Sequence, residues 1–205
     1  MLKNISAIIF DLGGVVIDLD VDKSLALFSQ YTGLSNKEIY NKFLEDGWTF
    51  AFEKGEITAA EFRNRVRLSL GQSISDRKID DSWNAMIREL PLERLELLGN
   101  LQDRFKTIVL SNTNDIHIEL FDSVVADVTG GSTIDQYFHK IYYSHKVGMR
   151  KPDAEIYEYV VNNNDLDPSS TLFIDDMKAN IEGAQTVGLQ TLHLTDQNYL
   201  FELFA

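Results

Sequence analysis

A chain of 205 residues, with 44% hydrophobic and 25% charged residues, a formal net charge of −13 and no cysteine, can build a sizeable core without covalent staples. The missing cysteines exclude disulfides, thiolate nucleophiles and thiolate zinc sites. The acidic balance, with no run of Lys or Arg, argues against a nucleic-acid partner and against a membrane surface. The first four residues lead straight into a strand-like run, with no signal-peptide pattern and no apolar stretch long enough to span a bilayer. A reducing, cytoplasmic setting is therefore the expectation.

In chain order, Ala7-Ile8-Ile9-Phe10 reads as a buried strand. From about Val21 to Leu90 no strand is evident. Apolar residues there recur at helical spacing: Leu25 and Phe28; Phe62, Val66 and Leu70; Ile79, Trp83, Ile87 and Leu90. Beyond that stretch come the apolar runs Thr107–Leu110 and Thr171–Ile174, then Thr191–Leu194, with Ile141–Tyr143 as a further candidate strand. Continuous apolar runs indicate strands covered on both faces, as in a parallel sheet. Ile156, Tyr159 and Val160 predict a helix after Pro152. Ile181, Ala184 and Val187 predict another, stopped at Gly188. Tyr199 to Phe204 is apolar and packs either on the core or on a partner. The expected fold is α/β: a Rossmann-like three-layer α/β/α core with a mainly parallel sheet, formed by residues 1–18 and 91–205. Residues 19–90 form an inserted α-helical cap. In open α/β sheets ligands bind at the carboxyl ends of the strands, so such an insertion would roof the site.

Polar residues cluster where the predicted strands end. Asp11 follows the first strand and precedes Gly13 and Gly14, which permit a tight turn and close approach to a ligand. Ser111-Asn112-Thr113-Asn114 follows the second strand, where hydroxyl and amide groups can meet phosphate oxygens. Arg150 and Lys151 precede Pro152. Asp175 and Asp176 are adjacent after a later strand, where mutual repulsion needs a cation or a helix N-terminus to offset it. With Asp11, they make a hard-oxygen set suited to Mg²⁺. Each segment also has a plainer reading as a turn or a helix cap, although one cap does not explain two adjacent acids.

Taken in order, Asp at the first strand end, Ser-Asn at the next, Lys-Pro, then Asp-Asp resembles the haloacid-dehalogenase-like hydrolase superfamily. The resemblance runs from Ile8 to about Leu194. The wording, including Phe52-Glu53-Lys54-Gly55-Glu56-Ile57-Thr58, is similar to the branch holding α-D-glucose-1-phosphate phosphatase and the phosphatase domain of soluble epoxide hydrolases. The resemblance implies a Mg²⁺-dependent phosphatase of a small phosphorylated metabolite, with a hexose 1-phosphate favoured. It makes Asp11 the nucleophile, forming an aspartyl-phosphate, with Ser111, Asn112 and Lys151 holding the phosphoryl group. Asp11, Asp176, Asp175 and the Gly13 carbonyl become the metal ligands, and Asn180 orients metal-bound water.

One departure stands out: Gly13 occupies the position where the family usually carries the general acid. Either the leaving group needs little proton help, or Asp18, Asp20 or a cap residue supplies the proton, or catalysis has been lost. The rival readings are a silent phosphometabolite-binding protein and a metal-free 2-haloacid dehalogenase. His117, His139, His145 and His193 show no ligand spacing, and His193 reads as structural. Trp48, Phe50 and Phe52 read as cap core rather than a sugar-stacking wall. Asp80-Asp81 reads as a solvated helix start.

Overall fold

The structure, a computed structural model, describes residues 4–205 apart from the Asp46 side chain. Residues 1–3, part of the expected lead-in to the first strand, lie outside the described residues. The elements run β1 (Ala7–Phe10), α1 (Val21–Thr32), α2 (Asn36–Leu44), α3 (Trp48–Glu53), α4 (Ala59–Leu70), α5 (Asp76–Asn84), α6 (Leu92–Asn100) and β2 (Lys106–Ser111). Then follow α7 (Asp115–Thr129), β3 (Lys140–Tyr143), α8 (Ser144–Val147), α9 (Ala154–Asn163), β4 (Thr171–Asp175), α10 (Lys178–Thr186), β5 (Gln190–His193) and α11 (Tyr199–Phe204).

The strands form one sheet in the order β3-β2-β1-β4-β5, and every pairing is parallel. Successive side chains point to opposite faces. Ile8 and Phe10 therefore face Leu95, Phe121 and Leu200 of α6, α7 and α11. Ile9 faces the other layer, with Ile156, Val160 and Ala184 of α9 and α10. All four residues of β1 are buried, which is why its sequence is an unbroken apolar run. The fold is the three-layer α/β arrangement. Tyr199–Phe204 packs on this core: the Phe204 ring lies 6.2 Å from that of Phe10.

Helices α1–α5 gather around a second core that includes Phe28, Ile39, Phe43, Phe62 and Trp83. Phe43 meets the rings of Phe28, Trp48 and Trp83 edge-on at 5.1, 5.4 and 5.9 Å. Hydroxyl caps set the helix starts: Ser35 forms a capping box with Glu38, while Thr58 and Ser75 cap α4 and α5. Gly33 and Gly71 end α1 and α4 in the left-handed conformation.

The structure corrects four sequence expectations. Helix α5 stops at Asn84 rather than reaching Ile87 and Leu90. Residues 86–89 instead run extended beside residues 18–20. Asp20 N–H donates to Met86 C=O at 2.8 Å, Arg88 N–H to Asp18 C=O at 2.9 Å, and Asp18 N–H to Glu89 C=O at 3.0 Å. Leu19 and Ile87 pair antiparallel in this two-stranded ribbon, and Leu90 enters the sheet core. Tertiary cover, not helical periodicity, accounts for both apolar residues. In α9 the buried tyrosine is Tyr157, not Tyr159. Asp80 and Asp81 lie inside α5 rather than at its start, and Asp80 takes both Nε (2.8 Å) and Nη2 (2.9 Å) of Arg63. Finally, Trp48 and Phe52 belong to the core of this helical unit, but Phe50 is exposed beneath the Arg150 guanidinium, 4.2 Å from its ring centroid.

Candidate active site

The parallel register places Phe10 beside both Val109 and Ile174, so the chain leaves β1, β2 and β4 at one edge of the sheet. Asp11 prolongs the pairing, its N–H donating to Ile174 C=O at 2.9 Å. Asp11, Asp175 and Asp176 each place a carboxylate oxygen within 4.8 Å of the others. Ser111, the last residue of β2, is buried at the same edge.

Lys151 joins this group from the segment after α8. Its Nζ lies 2.7 Å from Asp11 Oδ1 and 2.7 Å from Asp175 Oδ2, and the side chain is fully buried. Asn112 holds its main chain: Asn112 Nδ2 donates to Lys151 C=O at 2.8 Å, and Lys151 N–H donates to Asn112 Oδ1 at 2.9 Å. Asn114, two residues further on, caps α7 by accepting from His117 N–H. The Ser-Asn-Thr-Asn run thus divides its work between the site and the next helix.

The three acids have different surroundings. Asp11 Oδ1 accepts from Leu12 N–H at 2.6 Å as well as from Lys151. Asp175 is enclosed. Its Oδ1 accepts from Met177 N–H (2.8 Å) and Asn180 Nδ2 (3.0 Å), and its Oδ2 from Asn180 Nδ2 (3.0 Å) and Lys151. Asn180 therefore orients Asp175, and Asp175 supplies the bond at the start of α10. Asp176 receives no side-chain hydrogen bond from any other described residue. Behind it, His193 Nε2 meets its carbonyl at 2.9 Å, which makes His193 structural. Gly14 has φ +72°, and a Cβ there would overlap the Asp176 carboxylate, so only glycine fits.

Burial raises Asp11 well above the ordinary carboxylate range; Lys151 opposes this and Asp175 adds to it. Asp176 is raised for the same reasons, burial first and Asp175 second. Burial alone would lower Lys151, but Asp11 and Asp175 together hold it above its ordinary value. Three carboxylates against one ammonium leave two negative charges uncompensated in a buried space. That is the deficit a divalent cation makes good, and carboxylate oxygens are the donors that hard cations take. The residues fit the expected metal.

The two flap acids are committed elsewhere. Asp18 Oδ1 accepts from Arg94 Nη1 at 2.6 Å, and Asp20 caps α1. Neither fills the place of the proton donor absent at Gly13. A side chain at position 13 would run into Leu19, which lies where that donor would project.

Sequence reading missed two features. Glu53 of α3 accepts from Arg150 Nε and Nη2, both at 2.9 Å to Oε2. This pair ties the cap to the residue before Lys151. Burial raises the Glu53 carboxyl, and Arg150 opposes the rise. Partners 97 positions apart leave no local pattern; the sole hint was the wording around Phe52-Glu53. The second is His117, half-buried and stacked on Trp83 with ring centroids 5.2 Å apart, its Nδ1 2.9 Å from Asn84 Oδ1. Burial lowers its pKa to about 3. A cavity of about 370 Å³ lies between the cap and the sheet edge, with Gly13, Ser111, Asn112 and Thr113 at one end and Glu53 and His117 among its walls. Among the described residues no helix is long and apolar enough to cross a membrane.

Residues 5–188 match the family of haloacid dehalogenase-like hydrolases. A D-ribitol-5-phosphate phosphatase of Bacteroides thetaiotaomicron is 30% identical over 192 residues, covering 93% of this chain and 91% of the relative. A sesquiterpene phosphatase of Aspergillus oryzae is 26% identical, covering 96% and 93%. Among solved structures, a haloacid dehalogenase family enzyme of B. thetaiotaomicron in complex with magnesium and inorganic phosphate superposes with a TM-score of 0.82. It has 35% sequence identity, covering 96% of this chain and 99% of that one.

Proposed function

The chain belongs to the haloacid dehalogenase-like hydrolase family, a magnesium-using phosphatase of a small phosphorylated substrate, and on that premise we propose how its residues divide the reaction. Asp11 is the nucleophile. Its Oδ1 is held by Leu12 N–H and Lys151, which leaves Oδ2 to attack phosphorus as the bond to the leaving oxygen breaks. Water then attacks the aspartyl-phosphate and releases inorganic phosphate and the Asp11 carboxylate.

Lys151 offsets the charge of Asp11 and of the incoming phosphate, and Ser111 donates its hydroxyl to the phosphoryl oxygens. Asn112 acts through Lys151, because its amide is already taken up by that residue's main chain. Asp11, Asp176 and Asp175, with the Gly13 carbonyl, would hold magnesium. Asp176 is the freer of the adjacent acids and the better direct ligand. Bound there, the ion supplies charge neutralisation to the phosphoryl group, the main demand of this chemistry.

The observation that carries this reading is Lys151 bridging Asp11 and Asp175 inside a three-carboxylate cluster. It weighs against a silent scaffold, which has no use for a buried site of this cost, and against a metal-free dehalogenase, which has no use for the extra acids. The test is magnesium-dependent release of inorganic phosphate from p-nitrophenyl phosphate, abolished in Asp11→Asn. Equal release from that variant defeats the assignment. The finer expectation, a hexose 1-phosphate, draws support from the relative named for D-ribitol 5-phosphate, whereas the relative named for sesquiterpenes points the other way. The cavity wall bears on this choice.

A further inference from the structure

The cavity lining is of two chemical kinds. Ser111, Asn112 and Thr113 are polar and belong to the sheet edge where phosphate would sit. The rest of the lining is largely apolar and includes Leu19, Val21, Trp83, Met86, Ile118 and Phe121. Among its other polar groups, Glu53 Oε2 is taken by Arg150 and His117 Nδ1 by Asn84. Tyr40 stands at the rim, half exposed.

The rim is apolar as well. Leu19 is 42% exposed, Val21 46% and Met177 56%, and all three line this one cavity. Large apolar side chains grouped around a concave opening mark a ligand surface rather than chance exposure. A polyol chain entering here would give up its water hydrogen bonds to a mostly apolar lining that offers fewer in return. A hydrocarbon of the same size loses nothing and gains by leaving water.

We infer that the leaving group of the natural ester is a compact apolar alcohol, aliphatic or aromatic, rather than a sugar or polyol. This rests on the phosphatase reading above. Leu19 serves two ends: it occupies the space over Gly13 and forms part of the wall against which the leaving group packs.

The test compares kcat/KM for cyclohexylmethyl phosphate, ribitol 5-phosphate and glucose 1-phosphate with magnesium present, and uses p-nitrophenyl phosphate to report phosphatase competence. The cyclohexylmethyl ester is expected to exceed both polyol esters by about tenfold or more. Leu19→Asn, at a half-exposed position, is expected to lower the ratio of kcat/KM for the cyclohexylmethyl ester to that for ribitol 5-phosphate about fivefold or more. If p-nitrophenyl phosphate turns over but a polyol ester matches or beats the apolar one, the inference fails and the phosphatase reading stands. An equal loss on both substrate types in Leu19→Asn also overturns it. If even p-nitrophenyl phosphate is inert, both fall together.

Discussion

Asn112 and Lys151 hold each other by two reciprocal hydrogen bonds, side-chain amide to main-chain peptide, at 2.8 and 2.9 Å. The lysine side chain then extends to its two carboxylates from a main chain pinned at both its N–H and its C=O. Asn112→Ala removes both bonds while leaving every charge in place. A loss of about 1–3 kcal/mol of positioning corresponds to a fall of roughly 5- to 150-fold in kcat, with KM changed less. Steady-state kinetics on p-nitrophenyl phosphate measure it; an unchanged kcat would show that Lys151 is held by other means.

Lys151→Met keeps the length of the side chain and deletes its charge. Asp11 and Asp175 are then left buried without their cation. Breaking a buried pair in this way costs about 3–5 kcal/mol, so the variant should unfold at markedly lower urea in EDTA. Magnesium should restore part of the loss, because it offers the same carboxylates another cation. Matched urea curves with and without the ion read both effects.

Magnesium should raise the thermal midpoint of the unaltered protein. At 100 times its dissociation constant, a ligand specific for the native state adds about 2.7 kcal/mol, or roughly 5–10 °C for a chain of this size. Asp176→Asn should abolish most of the shift, since that carboxylate faces the cluster without other partners. Gly14→Ala should do likewise by displacing Asp176. Differential scanning fluorimetry across a magnesium series decides it, and a full shift in either variant counts against the site.

His117 should make stability depend on pH. Burial lowers its pKa from 6.5 to about 3, so the native state keeps it neutral while the unfolded chain takes up a proton near pH 6.5. Stability from this residue is complete above pH 6.5. It falls by about 1.4 kcal/mol per pH unit below that, and is lost as the pH nears 3. Urea midpoints between pH 7.5 and 5 should show a steeper decline for the wild type than for His117→Gln. Parallel slopes would place the pH dependence elsewhere.

The sheet is legible in the sequence because its strands are covered on both faces and bounded by polar residues. Ala7–Phe10 and Thr171–Asp175 need no context to be read. The edge acids and Lys151 are legible for the same reason, since each follows directly on a strand or a loop of distinctive wording. The cap is less readable. Helix α3 spans only six residues, too few for periodicity to register. Ile87 and Leu90 imitate a helical pattern because ribbon pairing and the sheet core bury them instead. The roles of Asp18 and Asp20 are invisible locally: Arg94 lies 76 positions away from Asp18, and capping looks like any flap acid until α1 is placed. The Glu53–Arg150 tie is hidden by the same separation, and with it the way the cap is fastened beside Lys151.

The ribbon of residues 18–20 and 86–89 has a mechanical consequence. The helical unit leaves and rejoins the sheet domain through two passes of chain laced together, so the crossing is one ribbon rather than two independent cords. Leu19, Met86 and Ile87 of that ribbon belong also to the lining of the chamber. The strap that joins the two units is thus part of the chamber's wall.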